Sequence, residues 1–170
     1  YCTMMLADLG ATVIKVENPA EPDYVRTFPP FVQGEAGQAS AFFAQYNRHK
    51  LGVSLDLKSE QGRALLRELV GRADLLVENF RPGTMARMGL GYDTLKEANP
   101  RLIYVSISGF GQTGPNTRRP AYDNSAQATG GLWSINGEKG KAPLRVGTII
   151  GDLSASFYAA IAALAAVIEM

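Results

Sequence analysis

An aspartate stands where an apolar segment meets a long Ala-rich stretch. Asp152 follows Gly151, and this glycine leaves room for a ligand or another backbone to come close. Aspartate is a favoured helix N-cap, so a structural cap is the simpler interpretation of Asp152. A carboxylate at a helix N-terminus is also expected to stay ionised. Because an ionised carboxylate attacks an activated acyl group without a general base, Asp152 is a candidate nucleophile as well.

A second group of chemically capable residues ends the apolar segment 75–77. Asn79, Phe80 and Arg81 come first, and Pro82 and Gly83 follow them. An amide, an aromatic ring and a guanidinium at a strand tip suit a phosphorylated ligand that carries a ring. A strand followed by a Pro-Gly turn, with Arg81 merely solvated, explains the same residues.

The run 109–114 has the G-x-G-x-x-G spacing of dinucleotide-binding loops. In those loops the third glycine opens a helix that holds the pyrophosphate, whereas residues 115–120 contain two prolines and cannot continue as a regular helix. We therefore reject a dinucleotide site. A flexible loop at the carboxyl end of a strand, where open α/β sheets place ligands, fits the run better.

Two further positions carry titratable groups. Tyr122 and Asp123 can present a phenol and a carboxylate to one cleft, but Asp123 can equally cap a helix. His49 lies between Arg48 and Lys50, which is more typical of a solvated loop residue than of a catalytic one.

Composition excludes several classes of function. Seventeen basic and sixteen acidic residues leave a net charge of +1, without the basic footprint of a nucleic-acid binder. With one cysteine, Cys2, and one histidine, His49, no Cys-based metal site and few zinc or Ser-His-Asp schemes are available. We expect no metal and no tightly bound cofactor. A lone cysteine also suits a reducing compartment, and we expect the cytoplasm.

No apolar run reaches the about 18 residues of a membrane-spanning helix, and the Ala-rich residues 154–170 indicate a buried helix instead. No signal peptide is visible at the start. The chain begins without methionine and ends inside the last helix, so we expect a fragment of a longer protein.

The periodicity predicts alternating helices and strands. Helices are expected over residues 2–9, 40–46, 60–72, 84–88, 93–98 and 122–129 and after 152, and Ser59 is expected to cap the third helix. Strands are expected over residues 12–16, 53–55, 75–77, 102–107 and 144–150, with a long loop from 19 to 38. This alternation favours an α/β fold with a mainly parallel, doubly wound sheet.

Several of these motifs, in this order, resemble the family III CoA-transferases, which include formyl-CoA transferase, the carnitine-metabolism CoA-transferase and alpha-methylacyl-CoA racemase. The resemblance runs over residues 4–11, 13–17, 47–48, 55–58, 74–83, 99–102, 106–114, 122–123, 126–128 and 151–152. It implies that residues 1–170 are the N-terminal part of a large Rossmann-like domain, truncated at both ends, in a chain that forms an interlocked homodimer. It also implies a nucleophile, the aspartate of the Gly-Asp pair, which is Asp152 here.

What the resemblance implies for function is transfer of CoA from an acyl-CoA donor to a small carboxylic acid. In the family the aspartate forms an acyl-aspartyl anhydride and then an aspartyl-CoA thioester. CoA or acyl-CoA is thus a substrate. The implied CoA contacts are Leu55, Lys58, Asn79, Phe80, Arg87 and Met88, and Tyr122 and Asp123 match positions that line the catalytic cleft.

Two departures from the family pattern bear on function. Racemases of this fold have a proton-transferring histidine where this chain has Tyr122, which favours transfer over racemisation. A family arginine that contacts CoA is Asn18 here, so phosphate binding is expected to be weaker or rerouted. An acyl-CoA racemase and a non-catalytic CoA-binding fragment remain the alternatives, and the residues do not identify the acyl groups.

Overall fold

The computed structural model describes residues 1–34 and 37–170, in which helices alternate with short strands. The helices are α1 (Cys2–Asp8), α2 (Ala41–Asn47), α3 (Glu60–Val70), α4 (Thr84–Arg87), α5 (Tyr92–Ala98), α6 (Asp123–Thr129), α7 (Leu132–Ile135) and α8 (Ile150–Ile168), with a 3₁₀ turn at Tyr24–Thr27. The strands are β1 (Val13–Glu17), β2 (Phe31–Gly34), β3 (Gly37–Ser40), β4 (Lys50–Ser54), β5 (Leu75–Glu78) and β6 (Ile103–Ser106).

The strands form two parallel pairs and one hairpin. β1 pairs with β4, starting with Val13 opposite Lys50, and β5 pairs with β6, starting with Leu75 opposite Ile103. β2 and β3 pair antiparallel. The predicted α/β fold with parallel strands is confirmed. Within residues 1–34 and 37–170 the two parallel pairs are not hydrogen-bonded to each other, so a single doubly wound sheet stays a prediction.

The β5–β6 pair is covered on both faces, which explains its apolar residues. Side chains alternate between the two faces of a strand, so Leu75 and Val77 pack against the cluster that α1 and α8 form. Leu76 points the other way, into the core built around α3 and α5. The strands carry apolar side chains on both faces, so helices must cover both faces to keep water out.

Helix α3 begins and ends on side-chain hydrogen bonds. The Ser59 hydroxyl accepts from the Gly62 N–H at 3.0 Å, which confirms the predicted cap. Asn99, at the end of α5, donates to the carbonyls of Val70 and Ala73 at 3.0 and 2.7 Å. These bonds fix the end of α3 against α5. The short segment that joins α3 to β5 is therefore held in place, and so is the direction in which β5 begins.

Two sequence predictions of local structure are wrong. The segment 19–38 is not one long loop, because it contains the 3₁₀ turn and most of the β2–β3 hairpin; residues 35 and 36 lie outside the described part. The segment 144–150 is not a strand. Its backbone is bonded by side chains instead: Val146 N–H donates to Gln127 Oε1 at 2.9 Å, and the Leu144 carbonyl accepts from Asn136 at 3.0 Å.

Helix α8 is far more exposed than predicted. Only Ala160 and Ala163 are buried, whereas Tyr158 and Ile161 are 74% and 62% exposed. In the described residues α8 is the one helix long and apolar enough to cross a membrane, with 19 residues and a mean hydropathy of 1.6. A core helix of a soluble protein passes the same test of length and composition. The expectation that no segment qualifies was wrong, because the polar residues of α8 interrupt its apolar run while its mean hydropathy stays at 1.6.

Candidate active site

Asp152 lies in the first turn of α8 but does not cap it. The helix begins at Ile150, with Ile149 at the N-cap position and no side-chain cap from that residue. In the part of the chain that the structure describes, the Asp152 carboxylate accepts no hydrogen bond and pairs with no cation. The capping interpretation of Asp152 is therefore wrong, because the aspartate lies inside the helix, two residues beyond its start.

The start of α8 is held by a different carboxylate. Asp123 Oδ1 accepts from the Gly151 N–H at 2.8 Å, and the Asp123 residue is only 7% exposed. A Cβ atom at position 151 would lie 3.1 Å from that oxygen and 3.2 Å from Ala126 Cβ, so a residue without a side chain suits this approach. Asp123 begins α6 and bonds across to α8; α6 has no side-chain cap of its own.

Gln127 connects the two helices to the segment before α8. Its side-chain nitrogen donates to Asp123 Oδ2 at 2.7 Å and to the Thr148 carbonyl at 3.1 Å. Its oxygen accepts from the Val146 N–H at 2.9 Å and from the Trp133 indole at 3.1 Å. Gln127 is 3% exposed, and sequence reasoning missed it as a site residue. The signal was a lone amide at the i+4 position from Asp123 in an otherwise small-residue helix.

The environment of Asp152 raises the pKa of its carboxyl group. Burial is the larger cause, even though much of the residue reaches solvent, and the negative charge of Asp123 adds to it. This corrects the expectation that the helix start only favours the ionised form. A more basic carboxylate is a better nucleophile once it has lost its proton, so the shift suits covalent chemistry.

The residues after β5 line a cavity of about 210 Å³. Glu78 holds the turn, because its carboxylate accepts from the Phe80 N–H at 2.8 Å. The Phe80 ring is 46% exposed. The cavity, which we call the turn cavity, is lined by residues 79–82, 108–109, 117 and 119–122. The structure thus brings Asn79 and Phe80 together with Tyr122, some forty residues later in the chain.

Gly109, the first residue of the glycine run after β6, also lines the turn cavity. No helix follows the third glycine directly: residues 108–120 are turns and irregular backbone, as predicted, whereas the predicted strand 102–107 already ends at Ser106. Gly109 is packed tightly, since a Cβ atom there would lie 2.2 Å from Ala121 Cβ. The loop is therefore fixed against the segment that leads through Tyr122 to Asp123.

The turn cavity and Asp152 are connected through two consecutive residues. Tyr122 lines the cavity, and Asp123 holds Gly151, the neighbour of Asp152. A ligand in the cavity with its ring or chain on Phe80 would lie beside the segment that holds the backbone next to Asp152. Among residues 1–34 and 37–170, no three His, Cys, Asp or Glu side chains come together as a metal site.

A comparison with sequence models of protein families matches residues 1–170, the whole chain, to CoA-transferase family III. The chain belongs to CoA-transferase family III. Curated relatives include a succinyl-CoA:mesaconate CoA-transferase of Haloarcula hispanica, 46% identical over 98% of this chain and 43% of its own length. The human succinyl-CoA:glutarate CoA-transferase is 42% identical over 99% of this chain and 38% of its own length.

Solved structures that are similar to this chain share its fold. A CAIB/BAIF family protein from Brucella suis is 41% identical, with a TM-score of 0.93 over 99% of this chain and 45% of that chain. A hypothetical protein from Mycobacterium tuberculosis is 34% identical, with a TM-score of 0.85 over 98% of this chain and 45% of that chain. The chain thus spans about two fifths of the length of the curated relatives it matches.

The other CoA contacts expected for this family lie outside the turn cavity. Leu55 is buried in the core at 9% exposure, and its backbone N–H donates to the Glu17 carbonyl at 2.9 Å. Lys58 is exposed and lies 3.8 Å from Glu21. Arg87 and Met88 end α4, where Arg87 donates to the Thr84 hydroxyl at 2.9 Å and Met88 packs on the core.

A second cavity of about 340 Å³ lies where β1 and β4 end, and Ser54, the neighbour of Leu55, lines it. Asn18 and Arg26 line it too. The Arg26 guanidinium donates to Glu17 at 2.8 and 3.2 Å and lies 3.8 Å from the centre of the Phe43 ring. A fixed guanidinium is thus present beside Asn18, where the family pattern has an arginine.

Proposed function

We propose that the protein containing this chain is a CoA-transferase that moves CoA from an acyl-CoA donor to a carboxylic acid. One observation supports this most directly. Asp152 has a carboxylate with no hydrogen-bond or ion-pair partner in the described residues, a raised pKa, and a backbone held by the buried Asp123. A carboxylate in this setting serves better as a nucleophile than as a structural group.

The proposed reaction needs no proton transfer. An Asp152 oxygen attacks the thioester carbonyl of the donor, the C–S bond breaks, and CoA leaves as its thiolate. The thiolate attacks the aspartyl carbonyl of the anhydride, releases the donor acid as a carboxylate, and forms an aspartyl-CoA thioester. The acceptor carboxylate then attacks the aspartyl-CoA thioester, expels CoA as its thiolate and forms a second anhydride. The thiolate attacks the acceptor acyl carbonyl of this anhydride, which gives the new acyl-CoA and frees the Asp152 carboxylate. Every nucleophile in these steps is an anion and needs no general base. This suits a chain whose one histidine, His49, is an exposed residue 4.0 Å from Asp8.

The acceptor is proposed to be a dicarboxylic acid. The names of the relatives pair CoA with mesaconate, glutarate and oxalate, all of which are dicarboxylates. We also propose an interlocked homodimer with one Rossmann-like sheet that contains both parallel pairs. The exposed apolar face of α8 supports this assembly, because such a surface is normally covered by protein. The cytoplasm is the proposed compartment, on the basis of the free, buried Cys2.

Replacing Asp152 with Ala in the full-length protein tests the proposal. We expect CoA exchange to fall by at least about a thousandfold, because removal of a covalent nucleophile abolishes the pathway. CoA binding, measured by calorimetry, is expected to change little. Asp93→Ala, at an exposed carboxylate of α5, is the matched control. Retained exchange in the Asp152 variant would overturn the assignment, and α-proton exchange without transfer would favour the racemase.

A further inference from the structure

Two arginines of α3 donate hydrogen bonds to the main chain of other segments. Arg63 donates to the Lys58 carbonyl at 2.7 Å, and Arg67 donates to the Gly89 carbonyl at 3.2 Å. The two arginines are four residues apart, so they lie on the same face of the helix. In the part of the chain that the structure describes, neither of them pairs with an acidic side chain. Both side chains therefore bind neutral backbone carbonyls in place of a carboxylate.

Arg67 is enclosed at a cost that a solvated surface charge does not carry. Its Nε atom is buried and, within residues 1–34 and 37–170, has no hydrogen-bond partner. An unbonded buried donor is unfavourable, so a side chain whose only role was to be solvated would adopt another rotamer. The Gly89 carbonyl is the one acceptor that bonds this guanidinium among the described residues. The bond to Gly89 therefore accounts for where the Arg67 side chain lies.

Gly89 ends α4 in a turn that fixes the direction of its carbonyl. Its φ is +68°, and its N–H donates to the Ala86 carbonyl at 2.9 Å. The next residue, Leu90, is fully buried and donates to the Met85 carbonyl at 2.9 Å. These two bonds are the usual end of a helix at a left-handed glycine. They use N–H groups, so the Gly89 carbonyl is left to accept from Arg67.

The two bonded segments carry CoA contacts expected for the family. Lys58 is one of them, and Arg87 and Met88 immediately precede Gly89. Lys58 and Arg87 are exposed cations, the residue types that bind phosphates. Their backbones belong to a short loop and to a four-residue helix, which is too short to be stable by itself. Both segments are instead attached to α3, an 11-residue helix that packs on the core.

We propose that Arg63 and Arg67 are positioning residues for CoA. They hold the segments of Lys58 and Arg87 at a fixed spacing, so that both cations reach the phosphates of one CoA molecule. This inference rests on the proposed CoA-transferase function, and neither α3 arginine touches CoA in it. Because segments that are already held in place lose less freedom when CoA binds, the two bonds raise the affinity for the nucleotide part of CoA.

Replacing Arg63 or Arg67 with Met in the full-length protein tests the proposal, because Met keeps an apolar stem and removes the donors. We expect the Kd of CoA, measured by calorimetry, to rise about 3- to 10-fold, the loss of one net hydrogen bond. KM for an acyl-CoA should rise alike, whereas KM for the acyl-pantetheine, which lacks the nucleotide, should hold. Arg67→Lys restores a donor and should recover part of the affinity. Arg72→Met removes an exposed guanidinium that pairs with Glu68, and this control should bind CoA like the wild type.

A double-mutant cycle tests whether Arg67 acts through the end of α4. Arg67→Met is combined with Arg87→Met, and we expect the loss of CoA affinity in the double variant to be smaller than the sum of the two single losses. Additive losses, or an equal rise of KM for the acyl-pantetheine, would identify a general structural role and overturn the proposal. Unchanged binding of CoA in both single variants would overturn it as well. The proposed function fails separately, if the wild type binds CoA but transfers it to no acid, because the binding measurements need no transfer.

Discussion

Two carboxylates that lie close together have opposite environments. Asp123 is buried and bonded through both oxygens, to Gly151 and to Gln127, whereas the Asp152 carboxylate has no such partner in the described residues. Environments that differ in this way separate the roles of paired acidic groups. Asp123 positions the start of α8 and keeps negative charge beside Asp152, and Asp152 is left free to react.

Replacing Asp123 with Asn tests the electrostatic part of this arrangement. Asn keeps an oxygen that accepts from Gly151 but removes the charge that helps to raise the pKa of Asp152. That pKa should fall, so the acidic limb of kcat/KM against pH should move to lower pH. Asn also sets an amide NH₂ against Gln127, at a cost of about 1–2 kcal/mol, so the informative readout is the pH profile and not the rate.

Asp93→Asn is the control for this experiment, because Asp93 is exposed on α5 and pairs with Lys96. Its pH profile should coincide with that of the wild type. An acidic limb that stays in place in the Asp123 variant, or moves to higher pH, would show that Asp123 does not act on Asp152 through its charge.

Sequence reasoning proposed Asp152 as the nucleophile, which stays a prediction, but did not find the residues that support it. A Gly-Asp pair before an apolar helix marked Asp152, and the nearby Tyr122-Asp123 pair was marked as a cleft or a cap. The cap on α8 comes from Asp123, 28 positions before Gly151, and capping rules that use local spacing do not include such a distant acceptor. Gln127 was missed for the same reason, since its four hydrogen bonds depend on tertiary contacts.

At the scale of elements, the end of β1 is tied to the 3₁₀ turn by charge. Glu17 accepts hydrogen bonds from Arg26, from the Asp23 N–H and from Lys15. The Arg26 bond is the largest cause that lowers the pKa of Glu17, from 4.5 to about 2. These contacts shape one wall of the larger cavity, which Glu17 and Arg26 both line.

This network predicts a loss of stability in acid. The folded-state pKa of Glu17 is depressed, so its contribution is complete above about pH 4.5 and is lost as the pH falls towards about 2. At neutral pH the contribution is about 3 kcal/mol, since one pKa unit corresponds to about 1.4 kcal/mol. Glu17→Gln should therefore unfold at lower urea concentration at pH 7, and its stability should depend less on pH below 4.5.

Glu68→Gln provides the comparison, because Glu68 forms an exposed i,i+4 pair with Arg72. Exposed pairs of this kind contribute about 0.5 kcal/mol or less, so this variant should unfold almost like the wild type. Equal effects of the two substitutions would contradict the account of the β1 network.

The predicted elements were correct wherever local signals agreed with tertiary contacts. Helix α3 combined a cap at Ser59 with apolar residues on one face, and β5 and β6 were short apolar runs between turn residues. The segment 144–150 had strand composition, but Gln127 and Asn136 bond its backbone, so no neighbouring strand is needed. Strand propensity describes a pleated, half-buried surface and does not identify which partner bonds the backbone.

For the whole molecule, the described residues contain a candidate nucleophile and a cavity but leave much apolar surface open. Several large side chains of α8 are exposed, among them Tyr158, Ile161 and Ile168. The sequence predicted burial for this helix because its composition is that of a core helix, and burial also depends on what packs against it. The curated relatives are more than twice as long as this chain, and we propose that the remaining protein and a second subunit cover this face.

Trapping the covalent intermediate tests the central claim most directly. The full-length protein is incubated with an acyl-CoA and hydroxylamine, digested, and examined by mass spectrometry. Hydroxylamine attacks the aspartyl carbonyl of the anhydride or thioester, releases the acid or CoA, and leaves a hydroxamate. We predict a hydroxamate on the peptide that contains Asp152, only when acyl-CoA is present. Turnover without modification of Asp152, or with modification of another residue, would contradict the account.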